Sequence, residues 1–156
     1  MIGTVPIKVA NTDPTKYHRE VGILIVDSNR RVLLQQRALT KSHHPGFWTI
    51  TAAGHIPTGM TPEEAAHMEL TEEPGFDVQL AFVGKTFNQI PTQSRFFYNY
   101  VGQLDDPVLT LQRSEVAQAD FYAEPEAIAL LERQGGSASL PFVQRYFAGE
   151  LDRFLP

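Results

Sequence analysis

The chain has 156 residues, 42% hydrophobic and 20% charged, with a net charge of −5 and no cysteine. That composition suits one globular domain over residues 1–156 with one core. It excludes disulfides, thiolate metal sites and a cysteine nucleophile, and it argues against binding a nucleic-acid polymer, which needs basic surface to displace counterions. No apolar run approaches the roughly 18 residues of a membrane span. The opening MIGTVPIKVANTDP lacks the basic-then-apolar order of a secretory signal. A cytoplasmic protein without membrane partners is the expectation.

In chain order, VGILIVD at 21–27 is a continuous, β-branched apolar run and predicts a buried strand. SNRR at 28–31 predicts a turn, and VLLQQ at 32–36 pairs back as a hairpin. Residues 37–46, with Lys41, His43, His44, Pro45 and Gly46, read as a loop, and Phe47 to Ala53 as a short strand ending at Gly54. Thr61-Pro62-Glu63-Glu64 combines an N-cap threonine, proline at the first helical position and glutamate three residues after the cap. It predicts a helix from Pro62 to Glu73, ended by Pro74-Gly75. Residues 76–87, 94–104 and 115–122 predict strands. EPEAIALLERQ at 124–134 predicts a helix, GGSAS a flexible connection, and 140–148 a last helix. The order of elements implies an α/β or α+β fold with a mixed sheet between helices.

The segment MELTEEPG at 68–75 concentrates charge. Glu69, Glu72 and Glu73 lie within an arc of about 100° on a helical wheel. Like charges at these spacings destabilise a helix by roughly 0.2–0.5 kcal/mol per pair, and the helix dipole disfavours anions in the last turn. One reading is a solvated acidic face. The other is a site for a hard cation, since carboxylate oxygens suit Mg²⁺, Mn²⁺ or Ca²⁺. Such a cation would let an acidic protein hold a phosphorylated ligand.

The surrounding residues choose between these readings. The segment 53–76, AGHIPTGMTPEEAAHMELTEEPGF, resembles the signature box of the Nudix hydrolases, a loop–helix–loop motif. Gly54, Glu69, Leu70, Glu72, Glu73, Gly75 and Phe76 match it with the spacing intact. Met60 stands where the family has its first glutamate and Met68 where it has arginine, two residues thought to form a bracing ion pair. The joint change suggests that the two methionines pack on each other, since an apolar pair can replace a buried ion pair at little cost. Pro74 is a further departure, in the turn that aims Glu72 and Glu73.

The flank LLQQRALTKSHHPGFWTITAAGHIPTG resembles the branch related to isopentenyl diphosphate isomerase, through Gln36, Arg37, Lys41, Pro45, Gly46, Trp48, Gly54 and His55. His18 fits the same branch. True isomerases protonate a double bond with a cysteine two residues before that histidine; here the position is Ala53. The resemblance therefore implies a Nudix-type α/β/α sandwich with a mixed β-sheet, acting as a pyrophosphohydrolase with Mg²⁺ or Mn²⁺ as cofactor. Its substrate would be a small diphosphate, either a nucleoside diphosphate derivative or a related organic diphosphate. It implies Glu69 nearest the role of base, Glu72 and Glu73 as main metal ligands, the backbone carbonyl of Ala53 as another, and Glu115 as a distal ligand. Arg37, ahead of Lys41, is the expected phosphate contact. His55 is a metal ligand or a hydrogen-bond partner. His43 and His44 read as solvent-facing, Trp48 as core, and Phe142, Tyr146 and Phe147 as packed on the sheet. Phe96, Phe97, Tyr98 and Tyr100 should alternate between core and surface, and a nucleobase could stack there. Loops 37–46 and 88–94 would carry specificity, and a homodimer is one open oligomeric state. Two rival readings are a degenerate module that binds without hydrolysis, and an acidic face that only binds calcium.

Overall fold

The computed structural model describes residues 17–90, 93–133 and 138–156. Among them, β1 (Tyr17–Val26), β2 (Val32–Arg37), β3 (Trp48–Thr49), β4 (Ala52–His55), β5 (Ala81–Ile90), β6 (Gln93–Gln103) and β7 (Val116–Tyr122) form one sheet. The helices are α1 (Pro62–Glu72), α2 (Glu124–Glu132) and α3 (Ser139–Phe147). β1 runs parallel to β6 from Tyr17↔Ser94 to Val26↔Gln103, and the other pairings are antiparallel. The sheet is thus mixed, as expected. The opening segment and most of GGSAS lie outside the described residues.

Alternation along β1 divides the core in two. Val21, Ile23 and Ile25 pack with Ala65, Ala66 and Leu70 of α1. Leu24 and Val26, on the opposite face, pack with Ala127 and Leu131 of α2 and Phe142, Val143 and Tyr146 of α3. The three layers are α1, the sheet, and α2 with α3. Leu70 is fully buried, a contribution of about 1.5–3 kcal/mol. Phe142, Tyr146 and Phe147 pack on the sheet as expected, and Trp48 sits edge-on to Tyr122 at 5.5 Å.

β1 begins at Tyr17, four residues ahead of the strand expected over 21–27, and three further boundaries differ from the sequence reading. The strand expected over 47–53 is two strands: β3 pairs with β2, and β4 pairs with β1. Between them the Thr51 hydroxyl donates to Leu33 O at 2.6 Å and accepts from Ile25 N at 2.9 Å. A side chain thereby bonds backbone groups of β1 and β2 at the fork where β2 and β4 diverge. Residues 76–80 lie outside β5, and Phe76, Val78 and Leu80 instead pack beside α1. The loop expected over 88–94 is largely strand, since β5 reaches Ile90 and β6 starts at Gln93.

The α1 signals hold. Thr61 caps the helix, Glu64 N donates to Thr61 Oγ1 at 3.1 Å, and Thr61 N donates to Glu64 Oε1 at 3.4 Å. At the other end Glu73 is the C-cap, and Gly75, at φ +87°, donates to Leu70 O at 3.1 Å. A Cβ on Gly75 would collide with the Thr110 backbone. Thr110 N donates to Pro74 O at 2.8 Å and Gln112 N to Glu73 O at 3.0 Å. Pro74 is therefore accommodated, and the segment leading into β7 is fastened across the acidic end of α1.

Candidate functional site

Glu69 projects from α1 onto β4. A Cβ built on Gly54 would fall inside the Glu69 carboxylate, so the close approach of helix and strand depends on that glycine. Burial raises the Glu69 pKa to about 8, and the charges of Glu73, Glu72 and Glu115 push the same way. Glu73 Oε1 accepts from Gln35 Nε2 at 2.9 Å and from Ala53 N at 3.2 Å. Burial raises the Glu73 pKa to about 7; the Ala53 and Gln35 hydrogen bonds oppose this, Glu115 adds to it, and Arg37 opposes it. Glu72 is exposed at the rim of the group. Ala53 meets the cluster through its N–H.

Glu115 arrives from the other side of the sheet sequence, at the head of β7. Its N–H donates to Gln112 O at 2.8 Å, and its carbonyl accepts from Ala38 N at 2.9 Å. Its carboxylate meets Lys41 Nζ at 2.6 Å. The Arg37 guanidinium donates twice to His43 O, at 3.2 and 3.0 Å. The structure thus brings Glu69, Glu72, Glu73 and Glu115 within electrostatic reach of one another, with Arg37 and Lys41 beside them. Carboxylate oxygens suit a hard divalent cation such as Mg²⁺ or Mn²⁺, but among the described residues the group whose ligand atoms lie close enough to share an ion is His18, Glu20 and His55.

A second polar group lies on the opposite face, outside that set. Glu20 pairs with His55 across β1 and β4, and His18 pairs with Arg95 across β1 and β6. The His18 and His55 rings stack at 4.9 Å. Glu20 Oε2 lies 3.9 Å from His18 Nδ1 and 3.3 Å from Arg95 Nη1, and Glu20 Oε1 lies 4.0 Å from His55 Nε2. Both His18 nitrogens and His55 Nε2 are buried without a hydrogen-bond partner among the described residues. Burial lowers the His18 pKa to about 4, helped by His55 and Arg95. Ligand atoms of His18, Glu20 and His55 all lie within 4.8 Å of one another, close enough to hold an ion jointly. Sequence reasoning named the two histidines but missed Glu20 and Arg95. The missing signal was the reach of β1 back to Tyr17, ahead of the strand expected from 21, which puts Glu20 and His18 on one face.

His43 and His44 are exposed, as expected. Tyr98 and Tyr100 pack on the α1 side, and the Lys85 ammonium lies over the Phe96 and Tyr98 rings at 4.9 and 5.5 Å. No described helix is long and apolar enough to cross a membrane.

The NUDIX domain model matches residues 16–146. The isopentenyl-diphosphate Delta-isomerase of Nocardia farcinica is 42% identical over 83 residues, covering 53% of this chain and 47% of the isomerase. An isomerase of Photorhabdus laumondii is 37% identical over 100 residues, covering 60% of this chain and 56% of the relative, so the chain spans about half the length of each. An uncharacterized Nudix hydrolase of Listeria monocytogenes is 28% identical over 161 residues, covering 97% of this chain and 86% of the relative. Among solved structures, a NUDIX hydrolase from Nitrosomonas europaea superposes with a TM-score of 0.70 at 19% identity, covering 86% of this chain and 90% of the other.

Proposed function

Because the chain belongs to the NUDIX domain family, we propose that it is a divalent-metal-dependent hydrolase. It would cleave a pyrophosphate bond in a nucleoside diphosphate derivative or a related organic diphosphate. The observation that carries this reading is the seating of Glu69 over Gly54 and of Glu73 against Ala53 N, which gathers costly carboxylates at one helix end.

Glu69, Glu72, Glu73 and Glu115 would hold Mg²⁺ or Mn²⁺, with the Ala53 carbonyl as a further ligand. Held there, the cation would supply Lewis acidity and would favour the ionised form of the carboxylates beside it. Glu69 accepts the proton of the attacking water. The water oxygen bonds to one phosphorus as that phosphorus loses its bridging oxygen, which departs with the other phosphate. Arg37 or Lys41 would neutralise phosphate charge, Arg37 with the N–H groups it does not spend on the His43 carbonyl. Isomerisation would need a proton donor at position 53, and an alanine methyl has no proton to give.

The test is phosphate release with Mn²⁺ across a panel of nucleoside diphosphate derivatives and organic diphosphates. The parent is compared with Glu72→Gln/Glu73→Gln. Turnover in the parent, lost in the variant, supports the hydrolase. Met60, Met68 and Pro74 favour the second reading, a binding module; tight ligand binding with no turnover on any substrate would establish it. Metal affinity without any phosphate chemistry or ligand binding would leave a calcium-type acidic site.

A further inference from the structure

Resting on the metal-dependent reading above, we propose that Lys41 is an exchangeable counter-ion, which occupies Glu115 until a divalent cation displaces it. Three observations carry this. First, the Lys41 ammonium sits 2.6 Å from Glu115 Oε2, the shortest ion pair that any carboxylate of the acidic cluster makes among the described residues. Second, the backbone ties Glu115 to the acidic end of α1: Gln112 N donates to Glu73 O at 3.0 Å, and Gln112 O accepts from Glu115 N at 2.8 Å. Third, the neighbouring cation is committed elsewhere: Arg37 spends two N–H groups on the His43 carbonyl.

The backbone makes the exchange mechanically simple. Glu115 is fixed by Gln112 O and Ala38 N, so its carboxylate stays beside the cluster whichever cation it faces. Lys41 sits on a long flexible stem in the 38–47 loop, anchored by Lys41 N donating to Ala38 O at 3.2 Å. A lysine is a compact, mobile point charge and can swing away where a fixed arginine fork could not. A divalent cation bound to Glu115 repels the ammonium beside it and neutralises the charge that holds it, so the two compete for the carboxylate. Metal capture by Glu115 therefore releases Lys41, and the freed ammonium becomes available to a diphosphate only after the metal is in place. The ion pair would make the site order its ligands: cation first, phosphate contact second.

Mn²⁺ titration by calorimetry, without nucleotide, tests the competition in the parent, Lys41→Met, Glu115→Gln and the double variant. Lys41→Met keeps the apolar stem and is expected to tighten Mn²⁺ about threefold, the scale of one partly exposed ion pair. In the Glu115→Gln background the same change is expected to do nothing. A merely structural lysine would shift the melting temperature and leave Mn²⁺ affinity alone or weaken it, which overturns the proposal. Equal tightening in both backgrounds overturns it too, because the effect would then be general charge removal. Reductive methylation of the unaltered protein, read at Lys41 by peptide mass spectrometry, needs no variant. The rate should rise when Mn²⁺ is added and fall again with methylenediphosphonate; a rate indifferent to Mn²⁺ refutes the exchange. A parent that binds no Mn²⁺ refutes the hydrolase reading itself, whereas equal Mn²⁺ binding by parent and Lys41→Met refutes only the counter-ion.

Discussion

The two faces of the sheet carry polar groups built on opposite terms. On the α1 face, Glu73 is bonded by Gln35 and Ala53, Glu115 is matched by Lys41, and Glu72 reaches solvent. On the other face, His18 and Glu20 are buried, and three imidazole nitrogens in the group lack hydrogen-bond partners among the described residues. The first group tolerates its charges through hydrogen bonds and the Lys41 ammonium. The second avoids charge on His18 by keeping that ring neutral. Both meet the short antiparallel ladder between β1 and β4, where Gly54 and His55 are adjacent residues facing opposite ways. Adjacent strand residues can thus serve unrelated electrostatic environments, because the pleat separates them.

Gly54→Ala should separate the two groups most sharply. The added methyl occupies the place of the Glu69 carboxylate and must expel it, while His55 on the opposite face keeps its surroundings. Metal-dependent turnover is expected to fall on the order of 100-fold, as for a small misplacement of a catalytic group, and Mn²⁺ affinity should weaken by calorimetry. Unchanged turnover would show that the Glu69 position does not matter to the chemistry.

The groups should also respond to pH with opposite signs. Folded His18 has a pKa of about 4 against an ordinary 6.5, so between those values the unfolded chain binds a proton that the folded chain refuses. Stability conferred by the neutral ring is present above pH 6.5 and is lost as pH falls toward 4, an effect on the order of 3 kcal/mol. Folded Glu69, at about 8 against an ordinary 4.5, keeps a proton that the unfolded chain gives up, so without metal it lowers stability as pH rises through that window. Glu73 acts in the same direction up to about 7. Urea melts in a metal chelator should show His18→Leu flattening the acid limb and Glu69→Gln flattening the alkaline limb. Because protons and metal compete for the same carboxylates, saturating Mn²⁺ should raise the melting temperature more at pH 8 than at pH 6. Equal rises at the two pH values would detach the metal from these carboxylates.

Local chemistry explains what could be read from the sequence. The start of α1 is written in Thr61, Pro62 and Glu64, and its acidic end in Glu69, Glu72 and Glu73, because capping and helical spacing act within a few residues. Strand boundaries depended on partners far along the chain. Nothing within FWTITAA announces that Thr51 will bond to both Ile25 and Leu33 and split the strand there. The limits of β5 follow its pairing with β6, while Phe76, Val78 and Leu80 are claimed by α1. Glu115 was chosen by resemblance, and its pairing with Lys41 joins segments that no periodicity connects. Glu20 was hidden because the first strand was expected only from residue 21, and its meeting with His55 required the register of β1 on β4.

The smallest expected effect concerns the two methionines, which separate this chain from the family's box. Met60 packs against the α1-side core, and Met68 is half-buried on α1 itself. If the two form an apolar substitute for an ion pair, Met68→Arg alone inserts a charge with no glutamate at position 60 to meet it. Stability should fall by about 1 kcal/mol, the common scale of a destabilising substitution, read as a drop of a few degrees in melting temperature. Adding Met60→Glu should recover part of that loss, since neighbouring substitutions couple by about 0.5–3 kcal/mol. A Met68→Arg protein more stable than the parent would mean that an acceptor for arginine is already present, and that the apolar pair replaced nothing.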